Sequence, residues 1–434
     1  VFDTPLSFQE LESLAGGDVR RWVDFDLAVR RWWRPNLAFR TAGLGRRPPR
    51  EVLAEAACYA DGRVREAAVE RLAAGDDPEA LPLLLIRCVD WVAPVREAAR
   101  KAALSKLDEP ALRAMLPLIA VLGRRQVDAW MPTLFRDNLP RVLDTALALE
   151  DRASRRWAHT EALDLLPRER LLDIARRDHD LVVRTLCGTA LLDRGEFVGE
   201  LLAAGSPKIR MRALTLVDEA TVEAHLADRS SLVRSMAQAL VLKAGGDPAA
   251  HYRTLPASPG AIAGLGETGT AEDAWRLEQH LADERPRVRA LAVRGLRRIA
   301  PESAAVRPLL TDPSPAVARQ AVAFLRGKPA LVGVPALRAL LAPGLPRHTR
   351  RTGANLLRDR DTWLRLHTNL TLLPDADLGA DAEQDLRSCH QHLAGVYTRP
   401  PAGLRTEIEA ACTGLDPATA RWIRSILGSA RFRP

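Results

Sequence analysis

The stretch DERPRVRALAVRGLRR, residues 283–298, decides the fold. Pro286 suits the first turn of a helix, where its missing N–H costs nothing, and Val288, Ala292 and Leu296 then fall on one face at four-residue spacing. The same block recurs through the chain. Its β-branched anchors are Val64, Val95, Val183, Ile209, Val233, Val288 and Val317. An arginine follows six of the seven, at Arg65, Arg96, Arg184, Arg210, Arg234 and Arg289, and Ala318 follows the last. Four positions after each anchor stand Ala68, Ala99, Cys187, Ala213, Ala237, Ala292 and Ala321, short enough to let stacked helices approach. Eight after stand Leu72, Ala103, Leu191, Val217, Val241, Leu296 and Leu325, completing a buried stripe.

Three positions before the anchors, Asp61, Asp180, Ser206, Ser230 and Ser314 are placed to cap the helix N-terminus, with Pro207 and Pro315 next in line. Anchor spacings of 31, 26, 24 and 29 residues, and gaps of 88 and 55 that divide into three and two further units, make this a tandem array. A degenerate copy fills the shorter gap, from Ser258-Pro259-Gly260-Ala261 through LGETG at 265–269 to a helix carrying Trp275, Leu277 and Leu281. Weaker copies lie near Val127 and Trp157. The expected fold is an all-α solenoid, a superhelix of about ten helix pairs over residues 51–345. Residues 1–50 and 346–434 depart from the pattern and are expected to be helical caps, the second ending in a helix over 416–427.

Composition narrows the function classes. Hydrophobic residues make up 47% and aromatics 5%, with three Tyr, which leaves little material for strands. No apolar run is long enough to cross a membrane, and Val1–Arg20 has no basic segment leading into an apolar one, so the expected location is cytoplasmic with no membrane partner. Cys58, Cys88, Cys187, Cys389 and Cys412 are odd in number and scattered, as reduced thiols are. The net charge is +8, and of 63 basic residues five are Lys and the rest Arg. That bias has two sources: grip on an anionic partner, or a GC-rich bacterial genome that also inflates Ala and Pro.

LGETG, an amphipathic helix and then DERPRVR resemble the HEAT-like repeat named after phycobilisome lyases, and the likeness covers the array. The resemblance implies fold, not activity. It also implies a polar ladder between neighbouring repeats, built from the aspartate before the second helix and the arginine after the anchor. Asp90/Arg96, Asp178/Arg184, Asp228/Arg234 and Asp283/Arg289 match, each pair six apart. Second helices line the inner surface in such arrays, and Arg100, Arg294, Arg297 and Arg298 lie on them off the buried stripe, so they are the binding candidates.

Two further groups carry possible chemistry. Arg30, Arg31, Trp32 and Trp33, with Trp22 before them, combine cations with rings that stack on bases, or else form a buried cap with its arginines in water. Asp90 and Trp91, with Trp130 and Trp157, resemble the Asp and Trp set of alkylpurine DNA glycosylases, which also use HEAT-like repeats. Cys389-His390-Gln391-His392 lacks a second cluster at zinc spacing, and no phosphate loop, serine elbow or HExxH helix occurs, so no metal and no cofactor is expected. The reading is a non-catalytic scaffold, expected to be monomeric, that binds another protein or a peptide segment. The alternative is a nucleic-acid-binding array.

Overall fold

The computed structural model describes residues 8–31, 44, 48–125, 129–393 and 398–428, and every regular element among them is a helix. The chain divides into two compact units, Val1–Leu216 and Val217–Pro434. Each is a stack of helix pairs, the solenoid arrangement.

In the first unit, Arg50–Cys58 packs against Gly62–Ala74, and Ala80–Arg87 against Ala93–Lys106. First helices also stack on first helices, and Gly62–Ala74 lies on Ala93–Lys106, the second helix of the next pair. The anchors Val64, Val95, Val183 and Ile209 are at most 1% exposed, and the small residues after them, Ala68, Ala99, Cys187 and Ala213, are fully buried. A short side chain at that crossing is what lets neighbouring second helices come close. The N-terminal Arg21–Arg31 helix seats Trp22 and Phe25, edge to face at 5.8 Å, against the first pair.

The second unit repeats the design from Ser231–Lys243 through Pro259–Thr268, Pro286–Ile299 and Pro315–Leu325 to Arg347–Arg358. Its anchors Val233, Val288 and Val317 are fully buried. Pro259–Thr268, made largely of Gly and Ala, is the most tightly held element. A Cβ on Gly266 would collide with the Cα of Gly295, and a Cβ on Gly260 with the carbonyl of Ala227. Beyond residue 346 the chain continues in helices, and Trp363, Leu366, Ile408 and Ile423 share a core there.

Two local expectations change. The helix after Pro207 stops at Ala213, and Val217, set in the stripe by spacing, is only half-buried. Ser230 and Ser314 make no capping bond; Asp228 and Asp312, two residues earlier, instead accept from the Ser230 and Ser314 N–H groups at 2.7 Å. Val127 lies outside the described residues, whereas Trp157 sits in a helix, Arg152–Glu161, stacked on Phe135 at 4.1 Å.

Candidate functional site

Arg65, Arg234 and Arg289, three of the post-anchor arginines, act on the turn ahead of their own helix and on the repeat that follows. Arg65 donates to the Tyr59 and Ala60 carbonyls at 2.8 Å and grips both Asp90 oxygens at 2.8 and 2.9 Å. Arg289 donates to the Asp283 and Glu284 carbonyls and holds Asp312 at 2.7 and 2.8 Å. Arg96 and Arg234 bond the carbonyls of Asp90 and Asp228 at 2.9 Å. In these pairs six apart the arginine therefore meets its aspartate's main chain, while the carboxylates of Asp90, Asp228 and Asp283 fold back onto the N–H two residues on. Asp178 accepts from the Asp180 N–H and pairs with Arg155; no ion pair joins it to Arg184 among the described residues.

Arg155 and Arg350 belong to the same system and escaped the sequence pattern. Arg155 bonds the Leu147 carbonyl and Asp178; Arg350 bonds the Leu341 carbonyl, Asp375 and Asp377. They follow Ser154 and Thr349, polar residues that fill the anchor position while fully or nearly buried. The informative signal is an arginine 23 or 25 residues ahead of a turn aspartate, as in Arg65/Asp90, Arg155/Asp178, Arg289/Asp312 and Arg350/Asp375. Arg234 uses Glu267 instead, and Gln238 donates to the same carboxylate at 3.0 Å.

Asp90 is the centre of a buried charge network. Its carboxylate is wholly inaccessible and also receives Arg87 at 3.1 Å, while Arg87 pairs with Asp26, and Arg30 reaches Asp26 at 3.1 Å and Asp90 at 3.5 Å. Burial alone would raise the Asp90 pKa, but the hydrogen bonds from Arg65 and the Val92 N–H, with the Arg87 and Arg65 charges, hold it below its usual value. An acid in that state has no surface for a substrate and no free lone pair facing one. Trp91 is 71% exposed on the adjoining turn, with Arg65 behind its ring at 5.5 Å. These are the contacts of a structural anion. Arg30 clamps the N-terminal helix to the repeats; Trp32, Trp33 and the Arg31 side chain lie outside the described residues.

The other arginine candidates separate clearly. Arg100 is tied down, donating to the Cys88 carbonyl at 3.0 Å and lying 4.9 Å over the Trp130 ring. Arg294, Arg297 and Arg298 are exposed and meet no carboxylate among the described residues. They share the outward strip of Pro286–Ile299 with Arg287 and Leu291. The four second helices from Ser231 to Leu325 carry a single carboxylate, Glu267, already taken by Arg234 and Gln238. Against it stand Lys243, Arg287, Arg294, Arg297, Arg298 and Arg319, all exposed. Arg234, Glu267, Arg294 and Arg298 line one shallow notch, floored by Ala263, Gly266, Leu291 and Gly295.

All five cysteines are free and buried; burial pushes the Cys187 thiol up to about 12 and raises Cys389 too. The side chains of His390 and His392 lie outside the described residues, and among those described no three metal-capable groups converge. No described helix is long and apolar enough to cross a membrane.

No family model matches the chain, and no curated protein does. Among solved structures it is similar to Kap121p bound to Pho4p, at TM-score 0.25 and 14% identity over 97% of this chain and 45% of that one. Kap121p bound to RanGTP follows at TM-score 0.27 and 15% identity, over 97% and 44%. The chain thus spans less than half the length of those proteins.

Proposed function

We propose that this chain is a non-catalytic scaffold that binds another protein through the second helices of its 217–434 unit. One observation supports the reading: six exposed cations and, among the described residues, no available carboxylate on four adjacent helices. Repeats stack through residues that face inward, so the outward positions are free to be set by a partner. A flat face of this kind suits a segment of another protein better than a small substrate, since binding would draw on area spread over several repeats.

Nucleic acid is the competing anionic partner. Proteins that hold single strands add aromatic rings on which bases stack. Among the described residues, these four second helices expose no aromatic side chain: Phe324 is buried, and Trp275, 51% exposed, stands on a first helix. The face offers charge without a stacking platform.

The test is selection of binders from a displayed library of protein fragments on the full chain, followed by measurement against the Arg294→Glu, Arg297→Glu, Arg298→Glu triple variant. Selected fragments should bind the variant at least roughly tenfold more weakly, with its thermal midpoint unchanged. Fragments indifferent to the triple change would remove this face from the account. Tight binding confined to DNA or RNA, with a steep salt slope, would replace the reading by the nucleic-acid one.

A further inference from the structure

We infer that the segment received on this face is acidic and extended, and that one of its Asp or Glu side chains anchors in the notch between Arg294 and Arg298. The inference rests on the scaffold reading and specifies its partner. Three features of the notch carry it.

The first is charge. Glu267 is saturated by two bonds from Arg234 and one from Gln238, so within the notch it neutralises Arg234 and leaves Arg294 and Arg298 uncompensated. Two guanidinium groups on one helix face, four residues apart, present forks that a carboxylate matches in geometry as well as in sign. The second is access. Gly266 and Gly295 meet at the floor, where a Cβ on Gly295 would lie 2.7 Å from the Leu277 Cδ1 and 3.0 Å from the Gly266 Cα, so two helix backbones cross closely there. The notch is shallow, so an acidic side chain meets the Arg294 and Arg298 guanidinium groups from above it.

The third is the surroundings. On one side Ser235 and Ala239 are exposed together with Leu232 and Leu242, and Lys243 stands at the end of their helix. Arg319 stands on the other side, on Pro315–Leu325. Four helices at about 8–10 Å between axes span roughly 24–30 Å, which an extended chain covers in about seven to nine residues. Uncharged residues, Ser235 and Ala239 with the apolar Leu232, Leu242 and Leu291, lie between the cations, which fall at separate points along the path. A duplex or single strand, charged at every step, would leave most of its phosphates over neutral surface.

The experiment uses fluorescence anisotropy of a labelled peptide of about nine residues alternating Glu and Ala, with Gln-for-Glu and Lys-for-Glu counterparts and an oligothymidylate. The full chain is compared with its Arg294→Gln, Arg298→Gln double variant and with Arg307→Gln, which removes an exposed arginine from the first-helix layer. The Glu peptide should bind, its Gln counterpart should bind roughly tenfold more weakly or worse, the double variant should show the same loss, and Arg307→Gln should bind as wild type. An equal loss with Arg307→Gln would mean diffuse attraction and overturn the notch. Oligothymidylate that binds more tightly and displaces the peptide would overturn the acidic-peptide assignment. If library-selected fragments need the face while the Glu peptide does not bind, this inference falls and the scaffold stands; if those fragments ignore the face, the scaffold reading itself has failed.

Discussion

The second helices Gly62–Ala74 and Ala93–Lys106 of the first unit and Pro286–Ile299 and Pro315–Leu325 of the second share one interior and differ in what they show to water. Anchor and small residue are interchangeable between them: Val64 and Ala68, Val95 and Ala99, Val288 and Ala292, Val317 and Ala321 are all buried to the same degree. The arginine after the anchor does the same work in Arg65 and Arg289, stapling a leading turn to the next carboxylate. Outward positions diverge. The first unit carries Glu66, Glu70, Glu97 and Lys101 there, and the second carries Arg294, Arg297, Arg298 and Arg319. The inward columns are fixed by stacking, so the outward columns are where function is set.

That division can be broken hardest at Asp90. Asp90→Ala would leave Arg65, 1% exposed, without a carboxylate and Arg87 with Asp26 alone, and should cost about 3–5 kcal/mol in urea unfolding of the first unit, the range for breaking a buried pair by removing one partner. A loss below about 1 kcal/mol would show that the network is dispensable. Gly266→Ala should cost about 1–3 kcal/mol despite the better helix propensity of Ala, because the added methyl meets Gly295 backbone that cannot rotate away. Unchanged thermal stability would mean the crossing is looser than described.

Acid should sharpen the contrast. Burial opposes ionisation of Asp90, Asp178 and Asp312, yet bonds from Arg65, Arg155 and Arg289 outweigh it and hold all three below the ordinary carboxylate value. With folded values under an unfolded value near about 4, their stabilisation is complete above about pH 5 and is lost as pH falls through about 4 toward the folded values. The urea midpoint should therefore start to drop below about pH 6.5, where His159 and His367, their pKa lowered by burial, charge more readily in the unfolded chain, and drop further through about pH 4 as the carboxylates protonate. A midpoint that rises on acidification would contradict the ladder. The smallest effect belongs to the outward column: Arg294→Ala should leave stability within about 0.5 kcal/mol, as a surface change with no partner does.

The array was legible in sequence because its stripe repeats in residues with one role each, Val, Ala and Leu at fixed offsets. The ladder was legible in part. A six-residue spacing picks out Asp283 and Arg289 correctly as neighbours, but which oxygen each donor meets depends on the turn, where the short Asp side chain takes its own backbone amide. Arg155 and Arg350 were hidden because Ser154 and Thr349 satisfy the packing without the apolar signature. The binding candidates looked alike as exposed positions on a helix, and only the fold separates Arg100, held against Cys88 and Trp130, from Arg294.

Arg289 and Arg294 stand five residues apart on one helix, one placed in the ladder and one facing out, and comparing them tests the account most directly. Hydrogen exchange of the amides in Pro286–Ile299 should show that Arg289→Gln lowers the opening free energy by about 1.5–3 kcal/mol, the range for bonds to charged groups, while Arg294→Gln leaves it unchanged. Equal protection in the two variants would contradict the division between a column that holds the stack and a column that faces a partner.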